Sequence, residues 1–230
     1  MQNSKDPFQL TRFFDKLRTT LSYQKRVKAL GDELGILIAC SGGIDSLALL
    51  YSLNELKDEL GLKLGACYVD HKARPESAME AKFVDKICQE LQVPFFPAEF
   101  NDDFWAESKS NFEEKARKER YRLLEKVATD NDFRCIATAH HADDQIETML
   151  MRILERGTGI KGLCGIRPLK LCRGGKLVVS LSKDDALKNG TQMQGAINLA
   201  PTITIIRPML NISKDEIIEY MADRQYLSDS

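Results

Sequence analysis

The stretch from Gly35 to Leu53, GILIACSGGIDSLALLYSL, constrains this chain more than any other. It begins with a compact apolar run, Ile36 to Cys40, short and β-branched enough to be a buried parallel strand. It ends in Leu47, Leu49, Leu50 and Leu53, spaced like the inner side of a helix. Between the two lie Ser41, Gly42, Gly43, Ile44, Asp45 and Ser46. Adjacent glycines let the backbone turn sharply and approach a ligand closely. Serine hydroxyls and unpaired amides at the start of a helix favour an anion. The reading is a strand, a phosphate cradle and a helix. A serine capping an ordinary buried helix is the competing reading of the motif alone.

The cradle is not a Walker loop. The chain has no GxxxxGK[ST], so no lysine is set there for terminal phosphates. Asp45 would repel a bare phosphate, and it makes sense chiefly with a divalent cation between the two. SGGIDS resembles the pyrophosphatase loop, or PP-loop, of enzymes that split ATP into AMP and pyrophosphate.

Composition sets outer bounds. With 230 residues, 43% of them hydrophobic, the chain can bury a full core as one large domain. Lys plus Arg total 33 against 34 acidic residues, so any nucleic-acid partner must meet a local basic face. The six cysteines show no CxxC and no regular spacing, and three lie in or beside apolar strand-like runs. They read as small buried hydrophobes in a reducing compartment. The first 30 residues carry charges throughout, and no apolar run approaches about 18 residues. A soluble, cytoplasmic protein with no membrane partner is expected.

In chain order, residues 8–30 read as an amphipathic leading helix through Phe13, Phe14, Leu17 and Leu21. A second strand is expected over Leu64 to Val69. His71 then falls at its carboxyl end, where open α/β sheets bind ligands. On its own, a histidine there is more often a hydrogen-bonded loop residue than a catalyst. A polar helix from Glu76 to Leu91, a strand near Pro94–Phe100 and a loop over Asn101–Ser110 follow.

Ser110 with Glu113 spells a capping box for a helix to about Ala128. On a wheel of about 100° per residue, its apolar half holds Phe112, Ala116, Tyr121, Leu123, Leu124, Val127 and Ala128. Glu113, Arg117 and Arg120 also fall in that half. The capping box accounts for Glu113, whereas the arginines need an anionic partner, either a protein carboxylate or a substrate phosphate. The outer half alternates lysine, arginine and glutamate and reads as a solvated face.

Cys135 to Ala139 reads as another buried strand, followed by His140, His141, Asp143, Asp144 and Glu147. Asp143 and Asp144 suit the first turn of the next helix. Glu147 shares a face with Asp143, so a carboxylate pair is expected to point at the sheet end. Adjacent histidines splay apart at a strand end, so oxygen-ligated magnesium with a nucleotide suits this set better than tetrahedral zinc. Gly157 to Gly162 spells GxGxxG but follows a helix, which rejects the dinucleotide fingerprint. Residues 166–201 read as a polar excursion, Thr202–Ile206 as a strand, and Ser213 with Glu216 as a second capping box.

The segments SGGIDS (41–46), VDHKARPES (69–77), NFEEKARKERY (111–121), AHHADDQIETMLMR (139–152), RGTGIKGLCGI (156–166) and RPML (207–210) occur in this order. Together they resemble the nucleotide-binding domain of bacterial tRNA(Ile)-lysidine synthetases, over about residues 34–225. The resemblance implies an α/β fold, a doubly wound, mainly parallel five-stranded sheet with helices on both faces. It implies ligation of free L-lysine to C2 of the wobble cytidine in tRNA(Ile) with a CAU anticodon, consuming ATP and releasing AMP and pyrophosphate. Carried onto this chain, it gives residues 41–46 the pyrophosphate, and Asp45 with Glu147 the Mg2+. Arg117 and Arg120 face the α-phosphate or the adenylated base, Asp143, Asp144 and Glu147 join the catalytic set, and backbone around Val69 and His71 holds adenine.

Two departures qualify the likeness. The stretch between Leu163 and Arg207 is longer than the family pattern, and the chain stops at Ser230 where that pattern continues into tRNA-gripping domains. Weak tRNA binding by these 230 residues with a shallow salt dependence is therefore expected, since each phosphate contact contributes roughly −0.9 to the slope. The oligomeric state is left open, a homodimer included. Other readings are a sister PP-loop enzyme, such as a tRNA thiolase or an amide-forming synthetase, and a non-catalytic nucleotide-binding module. A purely structural protein explains none of the charges on apolar faces.

Overall fold

The computed structural model describes residues 7–28, 34–72, 77–101, 104, 112–156, 165–171 and 203–222. Helix α1 (Pro7–Lys28) precedes strand β1 (Leu34–Ala39), helix α2 (Ile44–Leu60) and strand β2 (Leu62–Asp70). Helix α3 (Ser77–Glu90), strand β3 (Phe95–Glu99), helix α4 (Phe112–Asp130) and strand β4 (Cys135–Ala137) continue the alternation. Helix α5 (Ala142–Arg156), strands β5 (Leu169–Leu171) and β6 (Thr204–Ile206), and helix α6 (Lys214–Met221) complete it. The elements expected from periodicity are all present. Ser110 of the first capping box, Trp105, Gly157–Cys164, most of the 166–201 excursion and the chain end lie outside the described residues.

The strands form one mixed sheet in the order β3-β2-β1-β4-β6-β5. Five are parallel, and β5 alone runs antiparallel, pairing with β6 from Leu169 opposite Ile206 to Leu171 opposite Thr204. The sixth strand lies within the stretch read as a polar excursion, and three residues are too few to display a period of two. Strand β1 sits between β2 and β4, and its alternating side chains feed two cores. Ile36, Ile38 and Cys40 join a cluster with α1, α2, α3 and α6, while Leu37 joins one with Tyr121, Leu124 and Ala128 of α4. Burial on both faces is why β1 reads as a continuous apolar run.

Helix α2 carries nine buried residues, starting with Ser46. It stops at Gly61, whose left-handed backbone (φ 59°) lets its amide return to the Lys57 carbonyl. Helix α6 starts at the expected capping box, with Ser213 accepting from the Glu216 amide and Glu216 accepting from the Ser213 amide. Its Tyr220 ring stacks on Phe13 of α1, with centroids 4.5 Å apart and planes at 11°, and its hydroxyl donates to Glu55 Oε1 at 2.9 Å. Helix α5 is different. Ile146, Leu150, Met151 and Leu154 are all more than half exposed, while half-buried Gln145 reaches the backbone of Ile166. Among the described residues, no helix is long and apolar enough to cross a membrane.

Phe13 is 2% exposed and packs on both Phe14 and Tyr220, so Phe13→Ala removes a central aromatic contact as well as buried area. We expect it to cost about 3–5 kcal/mol in urea unfolding. A loss below about 1 kcal/mol would show that α1 does not close this core.

Candidate active site

The strand order changes direction at β1, whose neighbours β2 and β4 lead to opposite sides of the sheet. Open α/β sheets bind ligands beyond the carboxyl ends of their strands at such a point. A cavity of about 300 Å³ opens there, reached by the cradle, the ends of β2 and β4, one side of α4 and the start of α5.

The cradle turns at Gly42, whose φ of +83° is closed to most L side chains. Gly43 then takes the cap position of α2 without a side chain to satisfy the helix amides. The first bond of this helix runs from Leu47 N to Gly43 O at 3.0 Å, so the amides ahead of it have no carbonyl partner within the helix. Ser46 holds the turn together. Its hydroxyl is buried, donates to Gly43 O at 2.8 Å and accepts from Ser41 N at 3.2 Å. With its one proton directed at that carbonyl, Ser46 braces the loop and lies 3.3 Å from the hydroxyl of Ser41, which is exposed at the rim.

Asp45, half-buried, receives a hydrogen bond from Lys214 Nζ and lies 3.9 Å from His141 Nε2. Asp144 also lines the cavity; it accepts from the His141 amide at 2.8 Å and approaches His141 Nε2 at 3.8 Å. Asp143 does not line the cavity; it lies 3.4 Å from His141 Nδ1 and accepts from the Lys214 amide at 2.8 Å, a bond that holds its carboxyl below the usual range. Glu147 is exposed and does not line the cavity. Asp143 and Glu147 do share a helix face, as their spacing requires, but Asp144 is the α5 carboxylate that lines the cavity along with Asp45.

On α4 the two arginines divide. Arg120 is half-buried and lines the cavity, whereas Arg117 is exposed and does not. Both guanidinium groups lie over the Tyr121 ring, at 5.7 and 5.9 Å from its centroid, and Lys170 joins them at 5.7 Å. Among the described residues, no carboxylate pairs with either arginine.

Val69 and His71 line the far side, with the His71 ring edge-on to Phe100 at 4.7 Å. Burial, then the Arg120 charge, lowers the His71 pKa against the pull of Asp70. His140, bonded through Nδ1 to Thr138 Oγ1 at 2.9 Å, is pushed down to about 4 by burial and next by Arg207. Its ring is neutral at pH 7, and the cationic side chain among the residues lining this cavity is Arg120. Cys40 and Cys67 also line the wall. Burial raises both thiols, Cys67 to about 12, so neither supplies a thiolate.

Sequence reasoning missed Tyr121 and Thr138 as members of this wall, and Lys214 as the partner of Asp45. For Lys214 the only signal was its place after a helix cap, which says nothing about the far end of its side chain.

Comparison with known proteins settles the kinship. Residues 16–230 match the PP-loop domain. The chain belongs to that family. This PP-loop domain is 37% identical over 158 residues to the tRNA(Ile)-lysidine synthase of Streptococcus sanguinis strain SK36, covering 69% of this chain and 35% of the relative. It is 34% identical over 220 residues to that of Porphyromonas gingivalis strain W83, covering 94% of this chain and 40% of the relative. The chain thus spans well under half the length of these curated relatives. Among solved structures it resembles the U34-tRNA thiolase NcsA from Methanococcus maripaludis, with a TM-score of 0.66, 18% identity, and coverage of 93% of this chain and 63% of the other. That likeness carries the fold alone.

The two cradle glycines do different work, and substitution separates them. Gly42→Ala forces a side chain into the left-handed region and should cost about 1–2 kcal/mol of stability. Gly43→Ala sits at an ordinary φ of −73°, its added carbon 3.7 Å from Ser41 Oγ, and should leave urea unfolding unchanged. We expect the Gly43 variant to bind inorganic pyrophosphate more weakly even so, by calorimetric titration. Unaltered binding would mean that the anion does not lie on this backbone.

Proposed function

We propose that this chain is the ATP-activating part of a tRNA(Ile)-lysidine synthase. It joins free L-lysine to C2 of the wobble cytidine of a CAU-anticodon tRNA(Ile), in the cytoplasm. The observation that carries the reading is the convergence on one cavity of the cradle, two carboxylates and Arg120, without a Walker lysine. Its relatives with that name supply the substrate class.

In this reading the β- and γ-phosphates of ATP lie on the 43–46 amides and Ser41, with adenine against Val69 and His71. The C2 carbonyl oxygen of cytidine attacks the α-phosphorus, a C2–O–P linkage forms, and the bond to the pyrophosphate oxygen breaks. The lysine amine then adds at C2, loses its proton, and expels AMP by cleavage of the C2–O bond. Arg120 faces the region where charge accumulates at the α-phosphate, and Tyr121 holds its guanidinium in place. Arg117, further out along the same ring, is suited to the nucleic-acid side of the substrate. The cradle amides stabilise the leaving group, which matters most as its charge develops.

Mg2+ fits the oxygen donors present. Asp45 and Asp144 flank the cavity as hard ligands, whereas Glu147 lies outside it, so Asp144 replaces Glu147 as the second ligand we favour. Bound there, the ion would neutralise the leaving pyrophosphate. A thiolase reaction is the weaker alternative, because the cavity thiols are held protonated by burial.

The test is incubation of the full-length natural protein with ATP, lysine and unmodified tRNA(Ile), followed by nucleoside mass spectrometry and nucleotide chromatography. We expect lysidine at the wobble position with AMP and pyrophosphate in equal amounts, and Arg120→Ala to reduce turnover at least ~100-fold, in the range of losing one transition-state charge contact. ADP with inorganic phosphate, or sulphur in place of lysine, would overturn the assignment.

A further inference from the structure

The cradle lacks a lysine of its own, yet one reaches it from the last helix. Lys214 Nζ donates to Asp45 Oδ1 across a separation of 169 residues. The backbone behind that side chain is fixed at two points. The Lys214 amide bonds Asp143 Oδ2 at 2.8 Å, and the preceding residue is the cap of α6, its Ser213 amide bonded to Glu216 Oε2 at 2.9 Å. Lys214 is thus a long flexible stem on a rigid base, aimed at the mouth of the phosphate cradle.

The pairing itself is exchangeable. Both side chains are about one-third exposed, at 35% for Lys214 and 32% for Asp45, and an ion pair so open to water is weak. Asp45 is also a carboxylate suited to a divalent cation, and a cation and an ammonium cannot both hold the same oxygen. An ammonium displaced from Asp45 keeps its charge and three donors, and the nearest compatible acceptors in a loaded cradle are phosphate oxygens.

We propose, resting on the phosphate-cradle part of the reading above, that Lys214 is an exchanging counter-cation. It neutralises Asp45 when no divalent ion is bound there, and turns to the β- and γ-phosphate oxygens when Asp45 takes the metal. Lys214 then plays the part that a Walker lysine plays elsewhere, but from α6 and with a second station on Asp45. The device keeps the mouth of the cradle near constant charge in both conditions, and it makes metal without nucleotide a poor ligand.

Two binding measurements on the full chain, with neither tRNA nor lysine present, test this. Mn2+ binding without nucleotide is followed by electron paramagnetic resonance, and pyrophosphate binding with Mg2+ by calorimetry, for the parent and Lys214→Met. Removing the charge should tighten Mn2+ on the order of tenfold and weaken pyrophosphate on the order of tenfold. Adding Asp45→Asn should abolish the gain in Mn2+ affinity. Unchanged Mn2+ affinity, unchanged pyrophosphate affinity, or a gain that survives Asp45→Asn would each overturn the proposal. Should Lys214→Met fail to fold, Lys214→Gln keeps the stem and a donor without the charge, and carries the same readouts. A positive result with no lysidine formed would leave Lys214 in this role within another pyrophosphate-releasing reaction.

Discussion

The double burial of β1 is the constraint on which this structure depends. Ile36 and Ile38 are locked into one core and Leu37 into the other, all with no exposure, while β2 and β4 hold the strand from both sides. A strand so fixed ends at a defined place, and the cradle inherits that precision. The Cys40 amide still bonds across to Cys67 O at 2.9 Å, so the sheet extends to the first residue before the turn. Only then does the backbone leave the pleat, at Ser41 and Gly42, with Ser46 tying the turn back to its own helix.

Charge is arranged around that turn with the same economy. Asp45, Asp143 and Asp144 surround His141, Lys214 of α6 pairs with Asp45, and Arg120 of α4 lines the cavity. His140 stays neutral beside them because burial and Arg207 disfavour its cation. A site of this composition suits a polyanion, with fixed amides beside cationic side chains. Tyr121 gives the arginines a common platform, which restrains two flexible side chains.

Much of this was legible in the sequence where one signal dominates. The switch from a short apolar run to helical leucine spacing located β1, the cradle and α2, and Ser213 with Glu216 located the start of α6. Other features were not legible, for physical reasons. Strand β5 is three residues long, too short for any period. On α5 the wheel grouped Asp143 with Glu147, but it assumed that the apolar side faces inward. Instead Ile146, Leu150 and Leu154 are exposed and Asp144 turns to the cavity. On α4 the wheel placed both arginines on the inner half, whereas a difference of three residues along the axis puts Arg120 at the wall and Arg117 outside it. Lys214 was invisible because its partner is set by tertiary structure, not by spacing.

The central claim is that the anion-binding amides of the cradle receive the pyrophosphate end of ATP. A crystal structure of the chain with Mg2+ and an ATP analogue that resists cleavage between the α- and β-phosphates tests it most directly. The account predicts β- and γ-phosphate oxygens within hydrogen-bond distance of the Gly43 to Ser46 amides, with adenine beside Val69 and His71. A triphosphate lying in the reverse direction, or bound away from the ends of β1 and β4, would contradict it.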